Sequence, residues 1–190
     1  MSGKNRCMKR LYKILSLTFL FTALYATIRY HLFGPVLWKD FFIFTLNKIF
    51  IFSAVIFIFF LKGNFLDQPA KIFLKRLIYS LIVLHVIFST FILKPYYLKS
   101  FFTPLHGLSL WGNISLLFGA LAAILFLLKE SFISNEKLRQ KLFIIFVMLH
   151  LVAMGWHGWV KPGNWYGGML PITLVAFLIL LTIVLRKKTT

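Results

Sequence analysis

Continuous apolar runs of roughly 17–25 residues constrain the fold of this chain more than any other feature. A run of that length can cross a bilayer as an α-helix, which bonds every backbone N–H and C=O within itself. Barrel strands would instead alternate apolar and polar residues. We therefore predict an all-α fold, a six-helix transmembrane bundle. Its spans are expected near residues 14–32, 41–61, 72–93, 108–128, 142–160 and 170–185.

The overall composition supports a membrane environment. Apolar residues make up 60% of the 190 positions, charged residues 14%, and the mean hydropathy is +0.86. A soluble domain of this size could not bury so much apolar surface. The formal charge of +18 would suit nucleic acid, but the basic residues stand at the ends of the runs rather than on one soluble face. We therefore expect lipid as a partner and no nucleic acid.

The distribution of the basic residues predicts the orientation. Sixteen of the 22 Lys and Arg residues fall on the side that would hold both termini, and the side richer in Lys and Arg is normally cytoplasmic. Both termini are therefore expected in the cytoplasm, with residues 1–13 as a basic tail, 14–186 as the membrane domain and 187–190 as a second tail. The small size and the lack of a targeting extension favour a bacterial inner (plasma) membrane.

Two histidines lie deep within apolar runs, in the segments LIVLHVIF and FVMLHLVA. If the third helix opens at Pro69, His85 follows 16 residues later. If Ser134 caps the fifth helix, His150 lies 15 residues after its first residue, Asn135. Both helices run outward from the cytoplasmic side. At 1.5 Å per residue, both imidazoles should then sit at the same depth, roughly 23 Å along their helices.

Two neutral imidazoles at equal depth on different helices are what a six-coordinate b-type haem requires. The alternative is that each histidine bonds to a carbonyl of a neighbouring helix and only aids packing. Zinc is disfavoured because no Cys, Asp or Glu lies nearby to complete a tetrahedral site. His31 and His106, at the ends of runs, are expected to face water.

Other residues give weaker signals. Gly112 and Gly119 share one helix face and could admit a flat macrocycle or a neighbouring backbone. Lys48, inside the second run, either snorkels to the interface or pairs with a haem propionate. The four acidic residues all lie near the ends of runs, which argues against a carboxylate proton relay. Hydrolase and nucleotide-binding motifs are absent from the sequence.

The residues around the two deep histidines resemble a known family. The stretch from His85 to Phe88 and Ser89 is similar to the H-x-x-Y-S pattern on the third helix of the STEAP-type metalloreductases. The stretch from His150 to Gly155 and Trp156 resembles their fifth-helix H-x-x-x-x-G-W pattern. Shorter likenesses lie at 65–67, 75–77, 165–166 and 170–174, so the resemblance covers roughly 65–185.

The wider family is the ferric-reductase-like transmembrane domain, which includes the haem-binding membrane subunit of the periplasmic methionine sulfoxide reductase. The resemblance implies one haem b with His85 and His150 as axial ligands to its iron. It also implies that electrons pass outward from a cytoplasmic donor. The stretch before His150 is shorter than the family pattern, so His157, seven residues later on about the same face, is an alternative ligand. A flavin remains open, but no residue is assigned to it.

Two functions follow as hypotheses. The first is a transmembrane haem electron-transfer protein, an oxidoreductase such as a ferric reductase or the haem subunit of one. A cytoplasmic reductase or quinol would supply its electrons, and a metal ion or a partner protein on the outer face would accept them. The alternative is a haem-free component, either a small transporter or a membrane assembly factor.

Overall fold

A computed structural model describes residues 3–63, 66–105, 107–127 and 135–186. The predicted all-α class is confirmed for these residues, which form helices and one isolated β-bridge between Phe102 and Leu108. The principal helices are α1 (Gly3–Thr27), α2 (Leu46–Lys62), α3 (Gln68–Ile92), α4 (Leu110–Leu127), α5 (Glu136–Trp159) and α6 (Ile172–Leu185). Because α1 begins at Gly3, most of the predicted basic tail is continuous with the first apolar helix.

Five helical segments are long and apolar enough to cross a membrane, which indicates an integral membrane protein. They are Met8–Leu32, Trp38–Lys62, Gln68–Ile92, Glu136–Trp159 and Tyr166–Leu185. Three of them include short π- or 3₁₀-helical turns that adjoin an α-helix. The apolar part of α4, Leu110–Phe126, is shorter than the other five segments.

The two helices that carry the deep histidines begin at side-chain caps. Asp67 caps α3 by accepting the Ala70 N–H at 3.0 Å, and Pro69 lies in the first turn as predicted. Asn135 caps α5 by accepting the Leu138 N–H at 3.1 Å. The predicted cap, Ser134, lies outside the described residues. Asn135 is thus the cap rather than the first helical residue, so the expected start of α5 was one residue too early.

α2 is the central helix of the bundle. Of its apolar window, 56% is buried inside the protein, against 17–22% for the other four long segments. It packs on α1, α3 and α6, while α4 packs on α5, which in turn packs on α6. A hydrogen bond of 2.8 Å between Thr22 and Ser53 joins α1 to α2. Among the described residues, α3 and α5 make no extensive contact with each other.

One end of the bundle, which we call the basic end, gathers the end of α2 and the starts of α3 and α5. Lys62, Lys71, Lys75 and Arg139 line one cavity there. The start of α1 reaches the same end, because Leu11 packs in a cluster with Phe57 and Leu66. The end of α6 does so too, since the Arg186 guanidinium lies 6.0 Å from the ring of Phe59. Both ends of the described chain therefore lie at the basic end.

The opposite end, which we call the aromatic end, holds the remaining connections and is tied together by buried polar groups. Arg29, only 3% exposed, donates to the backbone oxygens of Met169 and Asn164, which fastens the end of the first helical segment to the connection between α5 and α6. The prediction that His31 faces water is wrong. His31 is buried, donates from Nδ1 to the Val36 carbonyl at 3.1 Å and bonds Thr45 through Nε2. His106 lies outside the described residues.

Candidate functional site

His85 lies on α3, with its imidazole half-buried against α2. Its Nδ1 is 2.7 Å from Oδ1 of Asn47, a residue with no exposed surface. The Asn47 amide nitrogen donates to the Ser89 hydroxyl at 3.3 Å, which leaves the amide oxygen as the atom that faces the imidazole. Because that oxygen can only accept, Nδ1 of His85 carries the proton. The Nε2 atom of the neutral ring therefore keeps a free lone pair.

His150 lies on α5 and is held in the same tautomer by α4. Its Nδ1 is 2.7 Å from the backbone carbonyl oxygen of Ser115 and 3.1 Å from the Ser115 hydroxyl, a residue with no exposed surface. A carbonyl oxygen accepts only, so Nδ1 is again the donor. The Nε2 of His150 is therefore also a lone-pair atom, available to a metal.

Gly119, one turn after Ser115, makes room for the His150 ring. A Cβ atom at Gly119 would lie 2.9 Å from Nδ1 and 3.1 Å from Cε1 of His150, closer than side-chain carbons tolerate. At Gly112 a Cβ atom would lie 2.5 Å from the carbonyl oxygen of Phe101. Of the two uses predicted for these glycines, close approach of a backbone applies to Gly112. Gly119 instead accommodates a histidine side chain, which was not predicted.

The two imidazoles lie near each other, although their helices make no extensive contact. His150 is close enough to act electrostatically on His85, and Lys48 is close enough to act on both. The two side chains thus approach across a space between α3 and α5 instead of through direct helix packing. Donation from Nδ1 to a second residue, with Nε2 left free, is also how proteins orient histidines that bind metals.

Lys48 is half-buried beside the histidine pair. Its ammonium group lies 5.1 Å from the ring centre of Phe44, on the preceding turn. Within the described part of the chain it forms no hydrogen bond or ion pair, and its neighbour Asn47 is the partner of His85. The site therefore combines two lone-pair nitrogens with one cation that has no counter-ion among the described residues.

His157, the alternative ligand, has different surroundings. Its side chain is exposed, and its ring centre lies 4.1 Å from that of Trp156 and 5.8 Å from that of Trp111. Seven residues of helix separate it from His150, an axial rise of roughly 10 Å. Of the two α5 histidines, it is His150 that shares Lys48 as a neighbour with His85.

Sequence reasoning missed Asn47 and Ser115, which orient the two rings. Each is a polar residue within an apolar run, and that was the one available signal. No group of three or more His, Cys, Asp or Glu residues able to hold a metal ion occurs among the described residues, so the donor set found here is the two histidines. Comparisons with protein-family models, with curated proteins and with solved structures found no match to this chain.

Proposed function

We propose that this chain is a ferric-reductase-like, transmembrane b-type haem electron-transfer protein, with His85 and His150 as the axial ligands. The observation that carries the proposal is the shared tautomer of the two rings. Asn47 and the Ser115 carbonyl each accept from Nδ1, so both Nε2 atoms offer lone pairs at the same time. Two such donors on neighbouring helices without extensive contact suit a planar macrocycle bound between them.

A haem bound by these residues would supply a one-electron carrier within the membrane domain. The protein's own groups would orient it. Asn47 and Ser115 hold the ligand rings at fixed angles and increase the basicity of Nε2 by hydrogen bonding to Nδ1. Lys48 would provide a positive charge for a propionate, because its ammonium has no other anionic partner among the described residues.

The proposed orientation places the basic end in the cytoplasm, following the excess of Lys and Arg on that side. With α4 counted as the sixth span, both termini are cytoplasmic. A cytoplasmic reductase or quinol would then deliver electrons at the basic end. A metal ion or partner protein would accept them at the aromatic end, on the outer face of what we propose to be a bacterial inner membrane. In this proposal the protein is an oxidoreductase or a subunit of one.

An absorption spectrum recorded before and after dithionite tests the proposal. We expect the purified protein to show the sharp α-band of a reduced b cytochrome, with about one haem per chain. Both His85→Ala and His150→Ala should lose it, whereas the matched control His157→Ala should retain it. Colourless protein, or full haem content in both ligand variants, would refute the proposal. Loss of haem in His157→Ala with retention in His150→Ala would move the ligand to His157.

A second candidate is a haem-free transporter or assembly factor, in which the histidines only pack helices. The same hydrogen bonds favour it, because they join α3 to α2 and α5 to α4. This hypothesis predicts a colourless protein in which His85→Gln and His150→Gln keep both stability and function. Heat denaturation in detergent, followed by circular dichroism, distinguishes the two.

A further inference from the structure

We propose that a cavity at the basic end binds the headgroup of an anionic phospholipid, independently of the histidine site. The cavity has a volume of about 450 Å³, which lies within the range of small-molecule sites. Residues of α2, α3, α4 and α5 line it. Its occupant would present a phosphate to the basic rim and an acyl chain to the apolar interior.

The charge of the rim selects an anion. Lys62, Lys71, Lys75 and Arg139 line the cavity, with Glu136 as the one carboxylate in the lining. That carboxylate is already engaged, because Gln140 donates to it at 2.7 Å and accepts from Lys62 at 2.6 Å. A chain of hydrogen bonds therefore organises one side of the rim and leaves the whole lining with an excess of positive charge.

Lys71 and Lys75 provide the cationic groups that are available to a ligand. They stand one turn apart on the same face of α3, so their ammonium groups can reach one phosphate together. In the described part of the chain neither of them has a hydrogen bond or an ion pair. The half-buried Lys71 and the exposed Lys75 thus span the mouth of the cavity from inside to outside.

The interior suits an acyl chain and opens toward lipid. Its floor is apolar and includes Ile78, Leu125, Phe126 and Ile144. Tyr79 stacks on Phe126 with ring centres 5.5 Å apart, yet remains 46% exposed, so this wall lies at the lipid-facing surface. Because α3 makes no extensive contact with α4 or α5 among the described residues, the cavity continues sideways between the helices. That sideways path favours a lipid over a water-soluble phosphate compound.

Basic pockets between membrane helices are a known setting for anionic lipid headgroups, and each Lys near the anionic surface adds roughly fivefold in affinity. We therefore expect the double variant Lys71→Gln/Lys75→Gln to bind phosphatidylglycerol about 25-fold more weakly. The matched control is Lys9→Gln/Lys13→Gln. It removes the same charge from exposed positions of the first helix, which are not among the lining residues.

The experiment titrates acyl-labelled phosphatidylglycerol, and phosphatidylcholine as the zwitterionic comparison, into the delipidated full-length protein in mild detergent. Native mass spectrometry counts the bound lipids. The proposal requires a preference for phosphatidylglycerol that the cavity variant loses and the control keeps. Equal loss in both variants, or no preference between the two lipids, would overturn it.

Two further arms separate other outcomes. Leu125→Trp fills the apolar floor without changing charge, and should weaken retention of the labelled lipid even if the lysine variant does not fold. Inorganic phosphate and a flavin mononucleotide serve as competitors. Displacement of the lipid by phosphate alone would show that the acyl chain contributes nothing. Stoichiometric binding of the flavin in preference to the lipid would assign the cavity to a nucleotide instead. Either result would overturn the lipid proposal, and none of these readouts depends on haem.

Discussion

Replacement of Gly119 by alanine tests whether the seat of the His150 imidazole controls the site. The added Cβ would lie 2.9 Å from Nδ1 and 3.1 Å from Cε1 of His150, whereas ordinary contacts begin at 3.4 Å. The ring must therefore move by about half an ångström or α4 must shift away from α5. Either movement disturbs the 2.7 Å hydrogen bond from Nδ1 to the carbonyl oxygen of Ser115.

The expected magnitudes follow from this displacement. Crowding of a packed site costs about 1–3 kcal/mol of folding free energy. The replacement of glycine by alanine within a helix returns roughly 0.5–1 kcal/mol, so Gly119→Ala should be destabilised by about 2 kcal/mol at most. Changes to groups that orient a metal ligand typically cost 10–100-fold in affinity. Haem occupancy should therefore fall far more than the stability of the fold does.

The assay is the pyridine haemochrome content per chain, with thermal denaturation of the same detergent samples. Gly158→Ala is the matched control, because a Cβ atom on this α5 glycine would meet only Asn164, at 3.9 Å. We expect the control to keep its haem and its thermal midpoint. Full haem content and an unchanged Soret band in Gly119→Ala would show that the position of the His150 ring does not govern binding, and would refute this reasoning.

Three further predictions concern polar groups. Asn47→Leu removes the acceptor of the His85 Nδ1–H, and should lower haem affinity by roughly 10–100-fold while α3 still forms, as measured by haem titration of the apoprotein. Arg29→Gln removes buried bonds to two backbone carbonyls at the aromatic end, and should lower the free energy of unfolding by about 1–3 kcal/mol, visible as a lower midpoint in urea. The hydrogen bond from Tyr97 to Asp40, together with burial, raises the pKa of Tyr97 above its ordinary 10.0, so its phenolate absorbance should appear at higher pH than in the Asp40→Asn variant.

The sign of the Tyr97 effect follows from linkage. A phenol whose pKa is higher in the folded state binds its proton more tightly there than in the unfolded chain. Its stabilising contribution is complete below the unfolded pKa and is lost as the pH rises through the folded pKa. The wild type should therefore lose stability more steeply than Tyr97→Phe as the pH rises past about 10. Parallel pH profiles would contradict this account.

The controls for the other two variants use positions with matched chemistry. Arg10→Gln removes one arginine from an exposed position and should leave the urea midpoint unchanged, in contrast to Arg29→Gln. Asn164→Ala removes an amide side chain at the aromatic end while keeping the backbone carbonyl that accepts from Arg29. It should leave haem affinity unchanged, in contrast to Asn47→Leu. Equal effects in a variant and its control would remove the physical basis of that prediction.

The helices and the deep positions of the histidines could be predicted from the sequence because both depend on local physics. A backbone in lipid must satisfy its own hydrogen bonds, so long apolar runs become helices wherever they occur. Pro69 at the start of α3 reflects the missing N–H of proline, which costs nothing in a first turn. Such signals reside within one turn of the chain and need no knowledge of its neighbours.

The environment of the site could not be predicted in this way. The partner of His85 is 38 residues away on α2, and the partner of His150 is 35 residues away on α4. Helical periodicity shows which residues share a face, but does not tell which helix that face will meet. The burial of His31 was missed for the same reason, since Thr45 reaches it from the following helical segment.

The sequence by itself determined that this is an integral membrane protein of apolar helices with two histidines in the middle of its runs. Only the tertiary structure decided that α2 lies at the centre, that Asn47 and Ser115 set the tautomers, and that Gly119 admits the His150 ring. The physical reason is that helix formation in lipid is a local balance of hydrogen bonds, whereas each of these contacts requires two distant segments to pack at one particular angle and register.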